Sequence, residues 1–283
     1  MLTKYLNTSL LELSLLLVVL TTSTFCIYTP DILTIKWGAN YAPQLMLFYF
    51  GLGLVLLAFN KPKLTFTSFA CAGALCLFLK ETSHTEMKHA IATDYEEVTI
   101  AHFNLANSES DYGLMVASIL ETNVDVISIQ ELSLDWMDVL NEGLSAQYPY
   151  EITIPDLGLN GIAIYSKYEI TEQETFYYDN IPNIKGRIDL SATESFYFIS
   201  SHTLPALNTK SYKQLREHLA VIQAECNKID APLIAFGDYH SVSWSKELRE
   251  LKENTLLNDS RRLFTPSFPS GFVDFLEVPI DHI

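Results

Sequence analysis

Leu233-Ile-Ala-Phe-Gly-Asp-Tyr-His240 runs four apolar residues straight into a glycine, an aspartate and, two positions on, a histidine. A short run that is wholly apolar predicts a strand buried on both faces. Gly237 lets the backbone leave that strand, and the period of two sets Asp238 and His240 on one side of the pleat. A carboxylate at the mouth of a buried strand is costly unless it is solvated, paired or bound to a metal. An aspartate that merely caps a loop satisfies the same pattern, so the neighbouring segments must decide.

Working outward, further strands are expected at 98–104, ending in Asn104, and at 124–130, which alternates cleanly and delivers Glu131. Others are expected at 161–167 and at 196–201, the latter leading into His202. Helical stretches are expected up to Glu121, around Trp136 and Leu140, and over 212–226. In the last of these Leu215, Leu219, Ile222 and Cys226 fall on one face. Some strands follow one another without a helix between them, which predicts mixed rather than purely parallel sheets. Polar groups thus stand at four strand ends (Asn104, Glu131, His202, and Asp238 with His240), and Asp281-His282 adds a fifth pair. Each has a dull explanation alone; at successive strand ends they describe the rim of a site.

That set suits metal-assisted hydrolysis of a phosphate ester. A hard cation such as Mg²⁺ takes one or two carboxylates and leaves the remaining positions to substrate oxygens and water. A second carboxylate orients the attacking water, while amides and imidazoles face the phosphoryl oxygens. A zinc site is not expected, because the sequence has no CxxC pair and no closely spaced histidines.

Taken in order, Phe103-Asn104, Asp125-Val-Ile-Ser-Ile-Gln-Glu131, Gly161-Ile-Ala-Ile-Tyr-Ser166, Ser201-His202-Thr203, Gly237-Asp238-Tyr239-His240, Ser243-Trp244-Ser245 and Ile280-Asp281-His282-Ile283 resemble the endonuclease/exonuclease/phosphatase superfamily, and within it the bacterial membrane-anchored branch. The resemblance spans about residues 98–283. It implies an α/β four-layer sandwich, two mixed β-sheets face to face with helices outside, and a Mg²⁺ (or Mn²⁺) cofactor. It implies that Glu131 is the main metal ligand, that Asn104 helps place metal and phosphate, and that Asn107 is a second phosphate-binding asparagine. His202 would contact the scissile phosphate, Asp238 would activate water, and Asp281 would hold a catalytic imidazole. The family's Gly-Asp-x-Asn reads Gly-Asp-Tyr-His here, so His240 stands where an amide is expected, with weakened activity as the anticipated result. The family pattern also continues through one more strand to a Ser-Asp-His motif, and on this reading the domain 98–283 lacks its last strand.

The first 80 residues differ in kind. Apolar segments at 10–27, 43–59 and 64–79 predict three transmembrane helices forming a membrane anchor over 1–80, with 81–97 as a linker. Lys4, Lys61 and Lys63 fall on one side of such a bundle, which puts the polar domain on the extracytoplasmic face. Of the 18 basic and 34 acidic residues, 13 and 32 lie beyond Lys80, a formal −19 there. So acidic a domain disfavours long nucleic acid as a partner, since phosphate-backbone affinity comes largely from basic side chains. The partners expected are a phosphate-ester substrate and the lipid bilayer. The leading expectation is therefore a membrane-tethered, divalent-metal-dependent phosphoesterase; the alternative is an inactive relative serving as a membrane-anchored interaction domain. A transporter is disfavoured, because the apolar segments offer almost no polar residues to line a path.

Overall fold

The structure, a computed structural model, describes residues 2–83, 97–105, 112–260 and 277–283. Most of the expected linker, and Asn107, lie outside the described residues. By their internal contacts the residues fall into two units: 1–87 with 242–249 and 262–279, and 88–241 with 250–261 and 280–283.

The first unit is built on helices α1 (Leu2–Tyr28), α2 (Leu33–Ala39), α3 (Ala42–Ala58) and α4 (Pro62–Ser83). Among the described residues, two stretches are helices long and apolar enough to cross a membrane, Leu10–Tyr28 and Pro62–Thr82. The middle expected span differs in shape. It begins with α2, breaks at residues 40–41 and turns by 66° into α3, so it reaches spanning length only as a bent pair. Pro43 near the start of α3 accounts for a helix beginning there, since it has no N–H to donate to a preceding turn. Within this unit Lys36 is buried and pairs with Glu247 at 2.7 Å and Asp31 at 3.2 Å. Trp244 Nε1 donates to the Ala39 carbonyl at 2.9 Å.

The second unit is the α/β sandwich. One sheet has the order β1-β2-β4-β3, from β1 (Ile100–Asn104), β2 (Val126–Gln130), β3 (Tyr150–Ile154) and β4 (Ile162–Ser166). The other has the order β5-β6-β7-β8-β9, from β5 (Glu169–Tyr178), β6 (Ile181–Asp189), β7 (Ser195–Ser201), β8 (Leu233–Asp238) and β9 (Asp281–His282). Both are mixed: β1 runs parallel to β2 and β7 to β8, while the remaining neighbours are antiparallel.

The alternation along β2 shows how the layers form. Ile127 and Ile129 face outward into a core with Ile119 of α5 (Tyr112–Thr122) and Trp136, Leu140 and Leu144 of α6 (Leu134–Leu144). Val126 faces inward, into a core shared with Ile162 and Ile164 of the same sheet and Ile184, Phe198 and Phe236 of the other. Burying each such side chain stabilises the fold by about 1.5–3 kcal/mol. α7 (Thr209–Cys226) covers the second sheet from outside: His218 reaches Asn183 of β6 at 2.8 Å, and Lys185 of β6 pairs with Glu225 at 2.8 Å. Its start is set by Asn208, whose side chain accepts from the N–H groups of Lys210 and Ser211. α8 (Lys246–Thr255) follows β8.

Candidate active site

The inner faces of the sheets do not stay apolar to their ends. Along β2 the inward positions after Val126 are Ser128 and Gln130, both fully buried. Ser128 Oγ lies 3.3 Å from Ser200 Oγ across the sandwich. Gln130 goes further: its Nε2 donates to the Ser201 carbonyl at 2.6 Å and its Oε1 accepts from the Asp238 N–H at 2.9 Å. One amide side chain thereby pins the ends of β7 and β8 to the end of β2, and with them the residues that follow each strand. Gly237 is required at this crossing. Its φ is +148°, and a Cβ there would stand 1.9 Å from the Ser201 carbonyl oxygen.

The side chains delivered by those strand ends converge. Asn104 Nδ2 donates to Glu131 Oε1 at 3.1 Å and approaches Asp238 Oδ2 at 3.4 Å, so a single amide touches both carboxylates. His202 Nε2 lies 3.9 Å from Glu131 Oε1. The His202 and His240 rings stack with centroids 5.3 Å apart. His240 is held by its own backbone N–H, which donates to Asp238 Oδ1 at 2.9 Å. Glu131 and His240 both occupy the left-handed region, at φ +59° and +46°. These backbones turn sharply out of their strands to aim the side chains, at a cost of order 1–3 kcal/mol each.

Asp281 enters from β9, whose register sets it opposite Asp238. The imidazole beside it is that of His102, with Nε2 3.3 Å from Asp281 Oδ1 and Nδ1 3.1 Å from Ser128 Oγ. Of the residues expected from the sequence, Asn104, Glu131, His202, Asp238, His240 and Asp281 come together; Asn107 lies outside the described residues. His102 and Gln130 are additions. His102 carried a signal, since it shares a strand face with Asn104; Gln130 did not, because it falls in the polar slot of the Ile127-Ser128-Ile129-Gln130 alternation.

Burial governs the site's electrostatics. Glu131 is raised above the usual carboxylate range by desolvation, which the Asn104 hydrogen bond only partly offsets. Asp238 is raised further, by burial and then by the charge of Asp281. Burial lowers both imidazoles, His202 to about 3, so neither is cationic at neutral pH. Glu131 Oε2 is buried without a hydrogen-bond partner, as are Nδ1 of His202 and Nδ1 of His240. Buried, unsatisfied oxygen and nitrogen atoms on three converging residues are the kind of ligand atoms a divalent cation uses. The expectation that no tight histidine pair exists is corrected here: residues 38 positions apart become neighbours because β7 and β8 lie side by side, and His202, Asp238 and His240 offer ligand atoms all within 4.8 Å of one another.

A family model for the endonuclease/exonuclease/phosphatase family matches residues 101–283. A search of curated protein sequences gave no match. Among solved structures, the chain is similar to a mannosyl-6-phosphatase of Bacteroides thetaiotaomicron, at 18% identity over 66% of this chain and 84% of that one, with a TM-score of 0.51. It is also similar to an endonuclease/exonuclease/phosphatase family protein from the same organism, at 19% identity over 65% and 81%, with a TM-score of 0.51. At such identities the likeness is one of fold. The family model, however, covers well over half of the sequence and contains every converging side chain described above, and on that ground the chain belongs to the endonuclease/exonuclease/phosphatase family.

Proposed function

We propose that this chain is a membrane-tethered, divalent-metal-dependent phosphoesterase that hydrolyses a phosphodiester or phosphomonoester. The observation that carries the reading is the Asn104 amide lying within 3.4 Å of both Glu131 and Asp238, which gathers an oxygen-donor position and a second carboxylate into one buried pocket. Glu131 and the Asn104 side-chain oxygen would hold Mg²⁺ or Mn²⁺, which when bound neutralises charge on the phosphoryl group and its leaving oxygen. Asp238, with its raised proton affinity, is suited to take the proton of the attacking water near neutral pH. His202 and His240 line the phosphate side, and Asn107 would add a further amide. Asp281 orients the His102 ring.

Tethering rests on the two apolar helices of spanning length and on the exposure of Leu10, Leu11, Leu13, Leu15, Leu17 and Leu20 along α1, a surface that lipid rather than water would cover. The lysine distribution favours an extracytoplasmic catalytic domain with 1–80 as anchor and 81–97 as linker. An acidic domain on a membrane favours lipid or small-molecule phosphoesters over long nucleic acid.

The test is a panel of phosphodiesters and phosphomonoesters offered to the full chain in detergent with Mg²⁺, beside Glu131→Ala and Asp238→Ala. Hydrolysis by the wild type that falls at least ~100-fold in each variant is expected, as for loss of an essential acid–base group. Equal rates in all three, or no hydrolysis of any substrate by the wild type, would leave the interaction-domain alternative standing.

A further inference from the structure

The helical unit holds a cleft that tethering alone does not require. It lies between the end of α1, α2 and the start of α3, with a volume of about 550 Å³ and Phe25, Ile35, Leu45 and Phe48 in its wall. That volume falls within the ~300–1,000 Å³ usual for a small-molecule site. Among the described residues, none in the wall carries a charge. Thr22 is part of the wall, but its Oγ1 donates to the Val18 carbonyl at 2.6 Å and also meets the Tyr49 hydroxyl. Its polar group is thus turned to the protein. Polarity is graded along the cleft. Tyr41, also in the wall, stands at the break before α3, and Phe48 lies seven residues on, about 10 Å along that helix. Tyr28 at the end of α1, Trp37 in α2 and Tyr41 are all exposed, and such aromatic residues sit at headgroup level. Gly38 keeps the cleft wide. A Cβ there would meet no atom within 4 Å, and no positive φ calls for glycine at that position. Glycine inside a helix is less stable than alanine, so neither packing nor backbone explains it, whereas a side chain there would enter the cleft.

We infer that this cleft seats one acyl chain of a membrane phospholipid, with the headgroup left at the level of Tyr41. The inference rests on the tethered reading, in which lipid covers the apolar surface of these helices. The mouth of the cleft is continuous with that surface: Phe25, Leu47, Phe48 and Phe50 are exposed there, as Leu13, Leu17 and Leu20 are along α1. In hydrocarbon surroundings removal from water does not drive such binding; contact does. A chain lying between three helices touches protein on several sides, while a chain on the outer face of α1 touches it on one. A free fatty acid fits less well, because its ionised carboxylate would find no cation in the wall. A phospholipid brings neutral ester carbonyls instead, and the wall offers the Thr34 and Tyr41 hydroxyls as donors to them.

The probe is a phosphatidylcholine carrying a photoreactive diazirine halfway along one acyl chain, with diazirine-bearing palmitic acid as the second arm. The full chain is reconstituted into vesicles doped with either, a chelator is added so that turnover plays no part, and adducts are mapped by mass spectrometry after irradiation. Circular dichroism checks that each variant is folded. The phospholipid probe should label Phe25, Ile35 and Leu45 above the level found on Leu13 and Leu17. That excess should shrink in Gly38→Leu and be lost in Gly38→Phe. It should persist in Gly51→Phe, which adds the same ring to α3 outside the cleft, where a Cβ also meets nothing within 4 Å. Four results would overturn the assignment: no excess in the wild type, a wild-type excess in both Gly38 variants, an equal loss in Gly51→Phe, or stronger labelling of the cleft by palmitic acid. Labelling of α1 without the cleft would sink this inference alone. A chain that enters no vesicle and takes no label anywhere would sink the tethered reading with it.

Discussion

Replacing Gln130 by leucine should do more damage than a conservative change of volume suggests. The side chain is fully buried, and its two polar ends meet the Ser201 carbonyl at 2.6 Å and the Asp238 N–H at 2.9 Å. Leucine fills nearly the same space and satisfies neither. Each buried group left without its partner costs about 1–3 kcal/mol, so the pair should cost roughly 2–6 kcal/mol. The same two bonds position the backbone just before His202 and at Asp238. A displacement of about 1 Å at a reacting group costs up to ~10²-fold in rate. Gln130→Leu should therefore lower the urea midpoint of the detergent-solubilised chain, followed by intrinsic fluorescence. It should also cut kcat by about 10–100-fold with a smaller change in KM. Gln130→Glu is the informative partner. It keeps an acceptor for the Asp238 N–H, loses the donor for Ser201 and buries a charge, so it should be at least as unstable as the leucine variant. A leucine variant that matches wild type in both midpoint and kcat would refute the idea that Gln130 staples the two sheets beneath the site.

Asp281→Asn removes a charge that helps hold Asp238 above the usual carboxylate range. If Asp238 must be ionised to accept a proton, the acid limb of the kcat–pH profile should move to lower pH, and an unmoved limb would exclude the coupling. His218 tests the fold instead. Burial lowers it to about 4, from the 6.5 expected when unfolded. Between those values the unfolded chain holds a proton that the folded chain does not, so stability falls as pH drops from 6.5 to 4, by on the order of 3 kcal/mol in total. Thermal unfolding of His218→Gln should show a shallower loss over that range, and a loss as steep as wild type's would place its origin elsewhere.

What the sequence made legible follows from burial. β2, β4 and β8 are dominated by apolar residues and stand out as strands because helices or a second sheet cover them. β5 and β6 were harder to see. β5 is largely exposed and rich in Glu and Thr, and β6 carries Pro182, Gly186, Lys185 and Arg187, whose charges are paired across the sheet rather than solvated singly. β9 is two residues long and is held by its register against β8, which no local pattern announces. The site was legible for the opposite reason: Asn104, Glu131, His202 and Asp238 interrupt apolar runs at their ends. What could not be read was distance through space. His202 and His240 follow strands that become neighbours only once the helical crossover of α7 is complete, so their pairing left no trace in spacing.

Glu131 and His240 both hold left-handed backbone conformations that glycine would adopt without penalty. A chain selected only for thermal endurance would replace them with glycine, and in doing so would discard a carboxylate and an imidazole from the pocket. Consensus-style or screening-based stabilisation of this protein should therefore be expected to drift toward robust, silent variants at these two positions first, unless turnover or ion uptake is scored alongside survival.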